Sequence, residues 1–235
     1  MKNNNFIKGV IDGLPICIGY FAVSFAFGIT AVQSGLSPLE ALLISATNLT
    51  SAGQVAGLPI IAGGGSLIEM AISQLVINSR YTLMSVSVSQ KFSRSIKIPD
   101  RLLIAFGITD EIFGVSVSKK GLLDKLYMAG IILISHFGWS LGTLIGAVSG
   151  NILPDIIIAS LGLAIYGMFI AIVMPVVKKE KSTALCVIGA IALSCAFRYL
   201  PFLQSIPSGF VTIICAVIPS MLFAFISPLN EEVAE

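Results

Sequence analysis

Eight apolar stretches of roughly twenty residues, almost empty of charge, dominate this chain: 13–33, 38–61, 66–90, 101–118, 122–148, 155–177, 183–200 and 208–227. About twenty apolar residues cross a bilayer as a helix, because in hydrocarbon a helix satisfies its own backbone. Across the 235 residues, 56% are apolar, 11% are charged and the mean hydropathy is +0.97. Too few charges remain to coat a soluble globule, so the reading is an all-α polytopic membrane protein forming one integral membrane domain over 1–235. A net charge of +2, with the basic residues in short loops, leaves no footprint for nucleic acid.

The loops set the topology. Lys91, Arg94, Lys97 and Arg101, then Lys119, Lys120 and Lys125, then Lys178, Lys179 and Lys181 make three connections basic, which places all three in the cytoplasm. The connections at 34–37, 149–154 and 201–207 carry no positive charge and belong outside. Two successive basic loops flank 101–118, so that segment enters and leaves on one side as a re-entrant or broken helix. With Lys2 and Lys8 holding the N-terminus inside, 38–61 dips in from outside and returns. Its middle carries Asn48, Thr50, Ser51, Gly53, Gln54, Gly57 and Pro59.

The expected fold is therefore about six transmembrane helices plus two re-entrant segments, with an inverted repeat in the N-terminal half. A competing count lets 38–61 span, giving seven crossings and the N-terminus outside. Residues 13–118 form the expected substrate and coupling core, and 122–227 a four-helix supporting and assembly region. The first apolar run follows a polar stretch over 1–12 and lacks a small-residue cleavage site, so it reads as a retained helix.

Local signals mark the segment starts. Ser37-Pro38-Leu39-Glu40 and Ser66-Leu67-Ile68-Glu69 read as capping boxes, and Asp100 and Asp155 as helix-start residues. Arg198 and Tyr199 read as interfacial anchors. Cys17, Cys186, Cys195 and Cys215 read as buried apolar side chains, with no disulfide and no metal spacing. Gly138, Gly142, Gly146 and Gly150 repeat every fourth residue and present a smooth strip with Trp139 beside it, suited to packing inside the bundle or to docking a second subunit. His136 stands alone on that helix, as a hydrogen-bonded side chain or as a proton carrier.

Asn48, Thr50, Ser51 and Gln54 either satisfy backbone freed by the break or line a substrate site. Asn78 and Arg80 lie roughly 18 to 21 Å into their helix, too deep for easy snorkelling. Charges at that depth mark candidate functional sites. Asp110 and Glu111 can lose their charge where Arg80 cannot, so one acid is expected to neutralise Arg80 and the other to carry a proton, with the two roles interchangeable; the alternative is a static ion network that closes the hairpin against helix 66–90. An intramembrane enzyme is disfavoured: Gly107-Ile108-Thr109-Asp110 lacks the second glycine of G-x-G-D, and no H-E-x-x-H, G-x-S-x-G or phosphate loop occurs. A passive channel and a structural subunit are the other rivals.

Gly13-Leu14-Pro15 with Gly19, Ser51-Ala52-Gly53-Gln54, Asn78-Ser79-Arg80-Tyr81, Asp110-Glu111-Ile112-Phe113 and Trp139 with Gly142-Thr143 and Gly146 resemble the AzlC/YgaZ family, the large subunits of bacterial branched-chain amino acid exporters. Tyr81 and Ile112 depart from the family pattern, which has His and a hydroxyl residue there. The resemblance implies a multi-pass protein of the bacterial cytoplasmic membrane, paired with a small AzlD-like subunit and driven by the proton-motive force. It implies no cofactor. The expected substrate-binding residues are Asn48, Ser51, Gly53, Gln54 and Asn78, the ion-coupling residues Arg80, Asp110 and Glu111, and the partner or packing residues Gly138, Trp139, Gly142 and Gly146.

Overall fold

In the computed structural model, residues 2–149 and 180–226 are described, together with 167, 170, 173, 174, 177 and 178. The expected segment 155–177 and Gly150 and Asp155 lie largely or wholly outside them. Nine α-helices stand among the described residues: α1 Lys2–Gln33, α2 Pro38–Thr47, α3 Ser51–Ala62, α4 Leu67–Gln90, α5 Ile98–Phe106, α6 Asp110–Ser118, α7 Lys125–Ser149, α8 Lys181–Tyr199 and α9 Ser208–Ile226. Four are both long and apolar enough to cross a membrane, within α1, α7, α8 and α9. The polytopic all-helical fold is as expected.

The chain divides into two compact units that interleave in sequence: residues 1–54 with 78–165, and residues 55–77 with 166–235. The first is organised by α1 against α7. Cys17, Phe21 and Phe25 meet Gly138, Gly142 and Gly146 in turn, each step four residues on both helices, so the two helices run in the same direction. A Cβ on any of these glycines would overlap a backbone carbonyl of α1. The seam is two-sided, since Gly9 and Gly28 meet the Tyr127 and Thr143 carbonyls of α7. The glycine strip thus packs internally, and docking of a second subunit on it is ruled out because α1 already fills it.

α1 also starts at Lys2 instead of residue 13. The polar stretch stays helical because Phe6 and Gly9 continue the seam against Gly130 and Tyr127. At the other end Gly35, at φ +95°, closes the helix: Leu36 N–H reaches the Ala31 carbonyl at 3.1 Å and Gly35 N–H the Val32 carbonyl at 3.0 Å, a left-handed cap that suits glycine.

Both interrupted segments are helix–break–helix pairs. α2 and α3 are separated by 48–50, and α5 and α6 by 107–109. α5 begins three residues before the expected 101, with Pro99 in its first turn and the Lys97 N–H donating to the Asp100 carboxylate at 3.1 Å, the helix-start role foreseen for Asp100. It rises from the level of Lys125 and Leu126, whose cavity Asp100 and Leu103 share, to Phe106, 6.4 Å from the His136 ring. α6 then comes back, ending where Lys119 Nζ lies 3.6 Å from the Tyr127 ring centroid. Lys91 Nζ donates to the carbonyls of Ser116, Val117 and Lys119 at 3.2, 2.6 and 2.5 Å, a cation closing the negative end of α6. Leu123 N–H to Lys91 O at 2.7 Å and Ser93 N–H to Leu123 O at 2.9 Å tie both ends of the hairpin to one level. At nine residues each, α5 and α6 reach only about 13 Å, and the pair turns back toward the level at which it began.

Parallel α1 and α7 bring Lys8 and Lys125 to the same end of the helix pair, since Gly9 meets the Tyr127 carbonyl. The element order over 2–118 is long helix, broken pair, long helix, broken pair. The breaks also correspond in kind, Asn48-Leu49-Thr50 and Gly107-Ile108-Thr109, each with a buried aliphatic residue before its threonine.

In the second unit, Gly63 to Gly65 turn α3 back onto α4, where Gly57 faces Met70 and Gln74. Ser37 and Glu40 form the full capping box expected at α2. At α4 only half forms: Ser66 Oγ accepts the Glu69 N–H at 3.1 Å, while the buried Glu69 carboxylate accepts the Gly209 N–H at 2.8 Å, at the start of α9. A second helix N-terminus outcompetes the first for that carboxylate. All four cysteines are free, and Cys195 is exposed where burial was expected, as suits an apolar side chain on the outer surface of a membrane helix.

Candidate functional site

The breaks in the two interrupted segments are joined by a run of polar and aromatic side chains within the first unit. At the α5–α6 break, Thr109 caps α6 by accepting the Ile112 N–H at 3.3 Å. That leaves Asp110 and Glu111 in the first turn, where the helix dipole favours negative charge. Arg80 on α4 pairs with Asp110 at 2.9 Å to Oδ1 and 2.8 Å to Oδ2, and its guanidinium lies 5.0 Å from the Tyr81 ring centroid. Asp110 is therefore the acid that neutralises Arg80. Glu111, about 100° further round the helix, turns to α1, where Tyr20 OH donates to its Oε2 at 2.5 Å.

Tyr20 is buried and also lies 2.6 Å from Thr109 Oγ1. A phenol has one proton. While Glu111 is ionised, that proton belongs to the carboxylate and Thr109 donates its own hydroxyl to the phenol oxygen. Protonating Glu111 reverses the chain: the carboxyl donates to Tyr20, Tyr20 donates to Thr109, and the Thr109 proton loses the phenol as its acceptor. The direction of the hydrogen bonds at Tyr20 is therefore coupled to the charge on Glu111.

The Tyr20 ring meets Trp139 edge-on, with centroids 5.3 Å apart at 77°. Trp139 Nε1–H donates to Gln54 Oε1 at 3.0 Å. Gln54 Nε2 donates to the carbonyls of Asn48 at 2.5 Å and Ile44 at 3.2 Å, which the end of α2 leaves without helical partners. Asn48 Oδ1 accepts the Thr50 N–H at 2.9 Å, and Ser45 and Thr143 hydroxyls bond at 2.7 Å. Asn48 and Gln54 thus serve the freed backbone. Thr50 Oγ1 is buried and has no hydrogen-bond partner among the described residues. Ser51 and Gly53 sit in the first turn of α3, and Asn78, two positions from Arg80, points about 200° around α4 from it.

His136 hydrogen-bonds to the Ala46 backbone on α2. It lines a largely apolar cavity of about 540 Å³ with Ala46, Leu103, Ile104, Phe106 and Ile132, with Asp100 and Lys125 also in its wall. Tyr20, Thr109 and Thr143 went unrecognised in the sequence as members of the site; the clue was a Tyr beside Gly19 in an otherwise apolar span.

The family profile described as AzlC protein matches residues 15–153, a stretch containing every side chain of this network. The chain belongs to the AzlC family. Among AzlC relatives, "Inner membrane protein YgaZ" of Escherichia coli (strain K12) is 31% identical over 228 residues, covering 94% of this chain and 91% of that protein. An "Uncharacterized membrane protein" of Archaeoglobus fulgidus is 30% identical over 195 residues, covering 82% and 85%. A like-named protein of Helicobacter pylori (strain 26695) is 28% identical over 156 residues, covering 63% and 67%. No solved structure matches the chain. Membership of AzlC and several apolar helices make this a membrane protein of a kind consistent with transport.

Proposed function

We propose that the chain is a secondary transporter that exports branched-chain amino acids, with methionine as a further substrate, across the bacterial cytoplasmic membrane. The proton-motive force drives it and a small AzlD-like subunit completes it; it performs no enzymatic chemistry. The observation that carries the reading is the pairing of two helix breaks in one network, one polar and one acidic. Broken helices whose ends face a midplane site are how many transporters hold a zwitterion and a coupling ion.

At the α2–α3 break, the unpartnered Thr50 hydroxyl, Ser51 and the start of α3 suit a carboxylate. Asn48, Gly53 and Gln54 shape that tip, Asn78 supplies a further polar group on α4, and the apolar cavity beside Ala46 suits a branched side chain. Glu111 carries the proton, because Asp110 is committed to Arg80.

Export of labelled leucine, isoleucine, valine and methionine from cells expressing the chain, with and without the small subunit, tests the function. Faster loss of at least one of the four, dependent on that subunit, is expected; unchanged retention of all four defeats the substrate reading. Glu111→Gln should lose uphill, proton-driven transport and keep substrate exchange. Retained uphill transport in that variant defeats the coupling reading.

A further inference from the structure

We propose that Tyr20 and Trp139 are positioning residues that transmit the protonation state of Glu111 to the α2–α3 break, through Gln54. This rests on the reading of Glu111 as the proton carrier and adds the route by which its proton reaches the polar break. Every step is a contact in the first unit: Glu111 Oε2 to Tyr20 OH at 2.5 Å, the Tyr20 ring to the Trp139 ring at 5.3 Å, Trp139 Nε1 to Gln54 Oε1 at 3.0 Å, and Gln54 Nε2 to the Asn48 and Ile44 carbonyls.

Tyr20, Trp139 and Gln54 are all buried, with Trp139 1% exposed, so a shift of the phenol is passed to its neighbours and not absorbed by solvent. Among the described residues, Tyr20 on α1 and Tyr81 on α4 interact with Glu111, and its neighbour Asp110 on α6 is paired with Arg80 on α4. α7 brings Trp139, which does not titrate. Arg80 is balanced by Asp110, so protonating Glu111 alone changes the local charge and reverses the hydrogen bonds of Tyr20 and Thr109. The phenol then exchanges one donor role for another, and the indole against it is the first group to respond. Gln54 holds two carbonyls at the end of α2, so displacement of the indole loosens the break that receives substrate.

The chain holds one tryptophan, and it is Trp139, so intrinsic fluorescence reads the link directly. The purified full chain in lipid nanodiscs is titrated across about pH 4 to 9, which brackets shifted carboxyl groups. Infrared difference spectra follow the carboxyl C=O stretch in parallel, the Glu111 band being the one missing from Glu111→Gln. The expected result is a sigmoidal change in Trp139 emission with the midpoint of that band, lost in Glu111→Gln. Tyr20→Phe, which keeps the ring and removes the hydroxyl, should lose the emission transition while the Glu111 band still titrates.

A titrating Glu111 band with flat wild-type emission, or with an unchanged emission transition in Tyr20→Phe, overturns the link and leaves the carrier reading standing. Absence of any Glu111 band across the range overturns both. Should Tyr20→Phe not elute as the wild type does, the wild-type titration against Glu111→Gln decides alone.

Discussion

Arg80 and Asp110 keep 39% and 27% of their side-chain exposure while paired at 2.8 Å. They are neither a solvated surface pair nor a fully buried one. The partly wet setting lowers the desolvation cost, and removing one partner should destabilise by about 1–3 kcal/mol, the range for leaving a polar group unsatisfied. Arg80→Met and Asp110→Asn are each expected to lower the melting temperature of the detergent-purified protein. The double substitution should cost less than the two added together, because neither charge is then left alone; strict additivity would show that the pair contributes nothing. Gln54 poses a different case, since its amide serves Trp139 and two carbonyls at once. Gln54→Ala orphans all three and should cost more than about 2 kcal/mol in a chemical-denaturation series, with Gln54→Glu failing to restore the two donated bonds.

Among the elements, α1 and α7 approach closely because glycine removes the atoms that would hold them apart. Helix association in lipid depends on such close packing, since lipid tails are as apolar as the side chains they replace. Gly142→Leu should therefore disrupt the seam, where an added Cβ already collides with the Phe21 carbonyl and Ser24. Even Gly142→Ala is expected to cost about 1–3 kcal/mol by overpacking. Gly19→Ala, half a turn from the seam contacts at Cys17 and Phe21 and with open space at its Cβ, should be neutral or slightly stabilising, given the better helix propensity of alanine. Equal thermal shifts in Gly142→Ala and Gly19→Ala would contradict the seam. The α5–α6 hairpin depends in turn on Lys91, and Lys91→Met leaves three carbonyls at the end of α6 without their cation. Its expected signature is faster hydrogen exchange confined to residues 115–123.

For the whole molecule, topology is the testable quantity. On a background lacking the four native cysteines, Ser95→Cys and Lys120→Cys should label from the same side as Lys8→Cys, and Leu67→Cys from the other. Labelling of Ser95→Cys and Lys120→Cys from opposite sides would remove the α5–α6 hairpin. Labelling of Lys8→Cys from the Leu67→Cys side would support the seven-crossing count.

Much of this was legible in the chain itself. Runs of apolar residues at bilayer length act locally and additively, so the all-helical polytopic class and the turn within 101–118 could be read from the chain alone. The capping box at Ser37 and Glu40, four residues long, was equally local. What the sequence left open were choices between partners distant in the chain. Asp110 and Glu111 are adjacent and chemically alike; only the placement of α4 on one side and α1 on the other gives the first to Arg80 and the second to Tyr20. The glycine strip specified a close neighbour without saying which, and the parallel run of α1 along α7 filled it from within. Glu69 had a capping partner three residues away and took Gly209, 140 residues on, instead. Periodicity and charge determine which segments enter the membrane, while hydrogen bonds and steric fit between distant segments decide what each buried polar group does there.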